Sequence, residues 1–164
     1  MPVVSNTSPI LNLAVIGLLD LLRIQFGQIL IPTEVRTELK ADTELSGARN
    51  IRQALSEGWM REIKVADKAL YHSLALELDN GEAAAITCAL EQKIGTILMD
   101  EHDGRAKARA LGLQPLGILG VLLRAKKDGQ IPSVKDAMLA LRRDAGFFID
   151  DELYQSVLNE AKER

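Results

Sequence analysis

The chain has 164 residues, of which 20 are basic and 23 acidic, so its formal net charge is −3. This charge gives no overall basic footprint of the kind that nucleic-acid-binding domains often carry, although it leaves room for a local basic patch. No apolar run approaches the ~20 residues that span a bilayer, and the opening residues MPVVSNTSP do not form the pattern of a secretory signal. A single cysteine, Cys88, excludes an internal disulfide, and we expect a cytoplasmic protein with no membrane association.

Short apolar runs alternate with helical patterns along the first two thirds of the chain. Strands are predicted at MPVVS (1–5), QILI (28–31), MREIKV (60–65), TILM (96–99) and QPLG (114–117). Such alternation is typical of class α/β and predicts a three-layer α/β/α sandwich around a central parallel sheet. We expect residues 1–164 to form a single domain, with residues 118–164 as a helical C-terminal extension packed on it.

Helix boundaries are also marked in the sequence. Ser8 followed by Pro9 is typical of an N-cap and a first helical position, and Pro32 suits the start of another helix. Asp103 is the expected cap of the helix that follows TILM. The last helix is amphipathic, with Leu153 and Val157 on its apolar side. This apolar side is explained either by packing on its own domain or by contact with a partner protein.

Four polar positions lie where a parallel sheet places its ligands, outside the carboxyl ends of the strands. Asn6 follows the first strand and Asp100 follows TILM, while Glu38 lies in the helix after QILI and Glu82 opens the apolar helix AAAITCAL. The three acidic positions also have a purely structural interpretation. Glu82 completes a capping box, Glu38 belongs to a solvated helix face with mixed charges, and the acidic residues after TILM form a loop and a cap.

The run DEHD at residues 100–103 crowds three carboxylates together. Carboxylate oxygens are the ligands preferred by hard divalent cations, so such a cluster favours magnesium or manganese. Two histidines and one cysteine at unrelated positions do not form a local zinc motif. No glycine-rich phosphate loop follows a strand, so the sequence does not predict nucleotide-dependent transfer.

Five motifs in order resemble a PIN-domain protein, and the similarity extends over almost the whole chain. They are VVSNTSPILNLAVIGLLDLL, ILIPTEVRTEL, LDNGEAAAITCAL, TILMDEHDGRAKARALGL and GILGVLLRAKKDGQI. The nearest group is that of prokaryotic PIN proteins described as nucleic-acid-binding proteins or VapC-like toxin ribonucleases. The resemblance implies a PIN-like sandwich with a site of acidic residues that hydrolyses single-stranded RNA with bound magnesium or manganese. It also implies a small antitoxin protein as partner and a homodimer.

The resemblance also assigns roles to particular residues. The first acid of the family falls on Asn6, the second on Glu38 and the third on Glu82, and together with Asp100 these are the expected catalytic residues. The expected metal ligands and substrate-binding residues share the same edge of the sheet. The metal ligands are Glu38, Glu82, Asp100 and Asp103, and the RNA-binding residues are Thr7, Ser8, Arg105 and Arg109. Within DEHD, Asp100 is the first choice as ligand, Asp103 the second and Glu101 the last.

Asn6 departs from the family pattern, because an amide offers one neutral oxygen where an aspartate offers a charged pair. This departure keeps open a second hypothesis, a PIN fold with weakened catalysis that binds RNA or a protein. A third hypothesis, a receiver-like phosphoryl-transfer domain, is disfavoured, because it needs an aspartate after the first strand, where this chain has Asn6, and a lysine after a late strand, where it has QPLG.

Overall fold

A computed structural model describes residues 1–164 and contains one sheet of five parallel strands in the order β3-β2-β1-β4-β5. The strands are β1 (Val3–Ser5), β2 (Ile29–Pro32), β3 (Met60–Ile63), β4 (Thr96–Leu98) and β5 (Gln114–Leu116). All five predicted strands are therefore present, and their parallel pairing confirms the predicted sheet. Ten helices cover the sheet on both faces, which confirms the three-layer α/β/α sandwich.

The helices account for most of the remaining chain. They are α1 (Thr7–Val15), α2 (Asp20–Phe26), α3 (Thr33–Leu39), α4 (Ala48–Glu57), α5 (Lys68–Ala75), α6 (Asn80–Glu91), α7 (His102–Ala110), α8 (Ile118–Lys127), α9 (Val134–Asp144) and α10 (Asp151–Glu160). No helix is both long and apolar enough to cross a membrane.

Alternate residues of the buried strands point to opposite faces of the sheet, as the pleat requires. Val3 and Leu98 pack in a larger core with α1 to α4 and α8 to α10, whereas Val4 and Ile97 pack in a smaller core with α5 to α7. Because both faces are covered, the inner strand β2 is apolar throughout, whereas the edge strand β3 carries the polar residues Arg61 and Glu62. The core of the molecule is thus divided into two layers by the sheet.

Helix α6 lies closest to the middle of the sheet because its buried face is built from small residues. Residues 83–85 are all alanine, and they and Ala89 are fully buried. Small side chains let the helix axis approach the strands, so the first turn of α6 is held firmly beside the carboxyl ends of β1 and β4.

Three of the predicted helix starts are wrong by one or two residues. Helix α1 begins at Thr7 with Asn6 as its N-cap, so Ser8 lies inside the first turn. Helix α3 has Pro32 as its N-cap, because that proline still pairs with β3 in an extended conformation. Helix α7 has Glu101 as its N-cap, and Asp103 is therefore not the cap. None of these three N-cap side chains makes a hydrogen bond to its helix. The predictions of Ser8 and Asp103 as caps relied on such a side-chain bond.

The last helix, α10, packs on its own chain. Tyr154, Val157, Leu158 and Ala161 are buried in the larger core, while Leu153 is exposed. The guanidinium of Arg142 lies 4.2 Å from the centre of the Tyr154 ring. Of the two interpretations of the amphipathic tail, packing on the chain itself accounts for most of its apolar side.

Candidate active site at the carboxyl edge of the sheet

The order of the strands reverses between β1 and β4, since β2 and β3 lie on one side of this pair and β5 on the other. The connections after β1 and β4 leave in opposite directions at such a point and open a crevice, which is where α/β sheets bind their ligands. Asn6 follows β1 and Glu101 follows β4 by three residues. The Asn6 side-chain amide donates a hydrogen bond of 3.1 Å to Glu101 Oε2 across the crevice.

Asn6 is held from several sides and is only 4% exposed. Its backbone N–H donates to the Leu98 carbonyl at 3.3 Å, and its own carbonyl accepts from the Ser5 hydroxyl at 2.9 Å. Its side-chain oxygen Oδ1 is buried without a hydrogen-bond partner, as is the hydroxyl of Thr7. Buried polar atoms without partners are uncommon, so Asn6 Oδ1 is the first candidate for contact with a ligand in this crevice.

Glu82 is a buried carboxylate beside this crevice, with a relative exposure of 6%. Its backbone N–H is capped by Asp79 Oδ1 at 2.8 Å, which fixes the start of α6 and confirms one half of the predicted capping box. Burial, together with the negative charges of Asp79, Glu101 and Asp103, raises the pKa of Glu82 from an ordinary value of 4.5 to about 7. A cation placed here would relieve this repulsion.

Glu38 approaches the first turn of α6 from α3 and is more exposed than Glu82. Its carboxylate lies against Gly81 in the first turn of α6, so closely that a side chain at Gly81 would overlap Oε1. Burial and the charge of Asp79 raise the pKa of Glu38, and the charge of Glu101 adds to this. The Thr7 hydroxyl is near enough to lower that pKa, although it makes no hydrogen bond of good geometry.

The Asp100 side chain points toward the start of α8 and not toward Glu38 and Glu82. Its Oδ1 accepts a hydrogen bond of 2.8 Å from the backbone N–H of Ile118, at the start of α8, and its Oδ2 is buried without a partner. Burial raises the pKa of Asp100 to about 6 even though the Ile118 hydrogen bond lowers it. Asp100 is not among the main charges that raise the pKa of Glu38 or Glu82, whereas Glu101 is.

The other expected site residues are only partly brought together. Asp103 is near enough to Glu82 to raise its pKa, but its side chain is 87% exposed. Ser8 Oγ accepts a hydrogen bond from Asn12 within α1. Arg105 donates to the Met99 carbonyl at 2.9 Å, so part of its guanidinium is engaged inside the protein. Arg109 is exposed, one turn further from the crevice.

Two residues of the acidic cluster were underrated or missed in the sequence. The sequence ranks Glu101 last within DEHD, and it marks Asp79 only as the first residue of the capping box that Glu82 completes. The signal for Asp79 is its place three residues before Glu82, because a cap that bonds the Glu82 N–H necessarily brings its own charge to the same spot. No comparable signal in the sequence marks Glu101.

The donor set fits magnesium or manganese, because it consists of carboxylate, amide and hydroxyl oxygens without thiolates or neighbouring histidines. The acidic side chains surround the crevice without converging, and no three of the chain's His, Cys, Asp and Glu side chains form a ready metal-binding group. Glu38 and Glu101 are exposed at the rim of the crevice, whereas Asn6 and Glu82 are buried in it. A bound magnesium or manganese ion would best explain why Asn6 Oδ1 is buried without a hydrogen-bond partner.

A family model described as a PIN domain matches residues 2–163, which is nearly the whole chain. The chain therefore belongs to the PIN-domain family, as the sequence motifs predicted. PIN domains are generally nucleases and generally use divalent metal ions, so the fold is that of a nuclease. A comparison with curated proteins finds no match.

Proposed function

We propose that this PIN-domain protein is an endoribonuclease that cleaves single-stranded RNA with bound magnesium or manganese. The observation that carries the proposal is the meeting of Asn6 and Glu101 across the strand-order reversal, beside the buried Glu82. Glu38 completes the set from α3. In this proposal Glu101 replaces Asp100 as the fourth acidic residue of the site, and Asp103 lies at its exposed rim.

The residues of the chain have separate tasks in this mechanism. Glu38, Glu82 and Glu101 provide negative charge for the metal, and Asn6 Oδ1 provides a neutral oxygen from the floor of the crevice. Asp79 fixes the position of Glu82, because its carboxylate accepts a hydrogen bond from the Glu82 backbone N–H. A bound metal ion supplies an activated water and stabilises the developing charge on the scissile phosphate. Arg109, exposed on α7, provides a positive charge for the RNA backbone.

The test is cleavage of a defined unstructured RNA, combined with titration calorimetry of Mn²⁺ binding. We expect the wild type to cut the RNA with Mn²⁺ and to stop with a chelator. Glu82→Gln and Glu101→Gln are expected to lose cleavage by about 100-fold or more. Glu152→Gln, an exposed change on α10, is the matched control and should cut normally. Equal cleavage by all variants would mean a contaminating nuclease and would refute the assignment.

One observation favours a second function, a PIN fold that binds RNA with weakened catalysis. Asn6 occupies the position of the first acid of the family, and its amide is neutral where a carboxylate would be charged. Fluorescence anisotropy of a labelled RNA separates the two functions. Binding without cleavage at saturating Mn²⁺ would support the binding module, and restoration of cleavage in Asn6→Asp would identify the amide as the reason.

We further propose that the protein is the cytoplasmic toxin of a toxin–antitoxin pair, bound by a small antitoxin protein and forming a homodimer. The support is the resemblance of its motifs to VapC-like toxin ribonucleases. Light scattering of the purified chain tests the dimer, and growth arrest on expression, relieved by a neighbouring small reading frame, tests the antitoxin. Unimpaired growth on expression of an RNA-cleaving protein would contradict the toxin role.

A further inference from the structure

Helix α8 begins without a cap of its own. Its N-cap is Gly117, which has no side chain, and the N–H of Ile118 is bonded instead by the carboxylate of Asp100, 18 residues earlier in the chain. A negative charge at this place is favoured both by the free N–H groups of the helix and by its dipole. Asp100 therefore caps a helix to which it does not belong.

The contact is tightly enclosed. A Cβ built on Gly117 would lie 3.0 Å from Asp100 Oδ1 and 3.1 Å from Arg105 Nη1, so a side chain at Gly117 would crowd both groups. Arg105 in turn bonds the carbonyl of Met99, the residue before Asp100. The connection from β4 to α7 is thus held at two consecutive residues, once through a backbone carbonyl and once through a carboxylate.

This anchoring determines where the next side chain points. Glu101 has an extended backbone, with φ −70° and ψ 137°. In extended chain, consecutive side chains project to opposite sides. With Asp100 turned toward α8, Glu101 is turned the other way, into the crevice, where its carboxylate accepts the hydrogen bond from Asn6.

We infer that Asp100 is a positioning residue: its carboxylate ties the β4–α7 connection to the N-terminus of α8 and thereby aims Glu101 at Asn6. It is not itself a metal ligand. This role deepens the proposed function, on which its metal-related part rests. Through this hydrogen bond α8, the first helix of the C-terminal extension, helps to determine the shape of the crevice.

The first test needs no metal and no RNA. The side-chain amide signal of Asn6 in a ¹⁵N NMR spectrum, identified by its loss in Asn6→Ala, reports the contact with Glu101. We expect Asp100→Ala to shift this signal as Glu101→Gln does. Asp100→Asn keeps an oxygen for the Ile118 N–H and should leave the signal near its wild-type position. An unchanged Asn6 signal in Asp100→Ala would overturn the inference.

The second test measures Mn²⁺ affinity by calorimetry in the wild type and in two variants, Asp100→Asn and Glu101→Gln, whose thermal stabilities match. Asp100→Asn is expected to bind Mn²⁺ within about threefold of the wild type, whereas Glu101→Gln should bind at least about tenfold more weakly. If Asp100→Asn loses Mn²⁺ as completely as Glu101→Gln, Asp100 is a ligand and the inference fails. If the wild type binds no Mn²⁺, the proposed function fails, while the Asn6 signal still decides the positioning role.

Discussion

The carboxylate of Glu38 rests directly on Gly81, at the point where α3 meets the first turn of α6. The φ of Gly81 is not in the left-handed region, so the close approach of the Glu38 carboxylate, and not the backbone conformation, is what favours glycine there. A helix gains nothing in stability from glycine in its first turn. The absence of a side chain at position 81 therefore serves the position of Glu38 and not the stability of the helix.

Gly81→Ala is expected to separate stability from metal binding. The added methyl group pushes the exposed Glu38 carboxylate away, so Mn²⁺ affinity in calorimetry should fall by about tenfold or more. The free energy of unfolding in urea should stay equal or rise by up to about 1 kcal/mol, because alanine is the better helix former. Gly95→Ala is the matched control, since that glycine has open space around it and an ordinary φ. Full Mn²⁺ affinity in Gly81→Ala would remove Glu38 from the site.

Glu82 is expected to cost the metal-free protein stability at alkaline pH. Its folded pKa of about 7 lies above the ordinary value of 4.5, so the folded state holds a proton that the unfolded state has released between these values. Stability therefore falls as pH rises through this window, and the cost is complete above it. With chelator at pH 8, Glu82→Gln should unfold at higher urea, with a gain of roughly 1–3 kcal/mol. The gain should vanish at pH 4.

The control for this experiment is Glu152→Gln, which removes a carboxylate from an exposed surface position. It should change the unfolding free energy little at either pH. A Glu82→Gln variant that is less stable than the wild type at pH 8 would mean that the carboxylate is stabilising as it stands. In that case the Glu82 carboxylate would not be destabilised by its neighbours, and its charge would give no reason to expect a bound cation.

The two arginines of α7 should behave differently, although they are one turn apart. Arg105→Ala removes the hydrogen bond to the Met99 carbonyl, and urea unfolding should show a loss of about 1–3 kcal/mol. Arg109→Ala should leave stability within about 0.5 kcal/mol, because its side chain is exposed. RNA binding to Arg109→Ala should become less sensitive to salt, by about one unit of slope. An unchanged salt dependence would exclude Arg109 from contact with the RNA.

The strands and the placement of the site were predictable because each depends on local sequence. Apolar runs bounded by turn residues define β1 to β5, and parallel strands place their ligands at one edge. Asn6 and Glu38 are predicted in this way, as residues that follow strands, and Glu82 is predicted from its place at the start of the apolar helix α6. The direction of Glu101 was not predictable, because it is set by the bond between Asp100 and Ile118, which are distant in sequence.

The contacts of Arg142 and Lys126 are likewise not predictable from the spacing of charges in the sequence. Arg142 bonds the Ile149 carbonyl and stacks on Tyr154, and Lys126 pairs with Glu163, so both hold the C-terminal helices. Whether such a residue extends an RNA-binding groove or fastens a helix depends on partners that the spacing of charges does not reveal.

Glu163 fastens the end of the chain to α9, and it is expected to be a main source of stability against acid. Its carboxylate is 12% exposed. It accepts four contacts, from the backbone N–H groups of Val134 and Lys135, the Ser133 hydroxyl and the Lys126 ammonium. Burial alone would raise its pKa, but these hydrogen bonds outweigh burial and lower the pKa from 4.5 to about 2.

Because the folded pKa of Glu163 is depressed, its contribution to stability is complete above about pH 4.5 and is lost as pH falls toward 2. Glu163→Gln should lower the unfolding free energy at pH 7 by about 1–2 kcal/mol, because solvent near the chain end screens part of the interaction. It should also unfold at a higher pH during acid titration, and both values are measured in urea. Glu160→Gln, on the exposed side of α10, should change neither value. A loss of the same size in both variants would trace the effect to the net charge of the tail, and no loss in Glu163→Gln would mean that α9 keeps its position without this carboxylate.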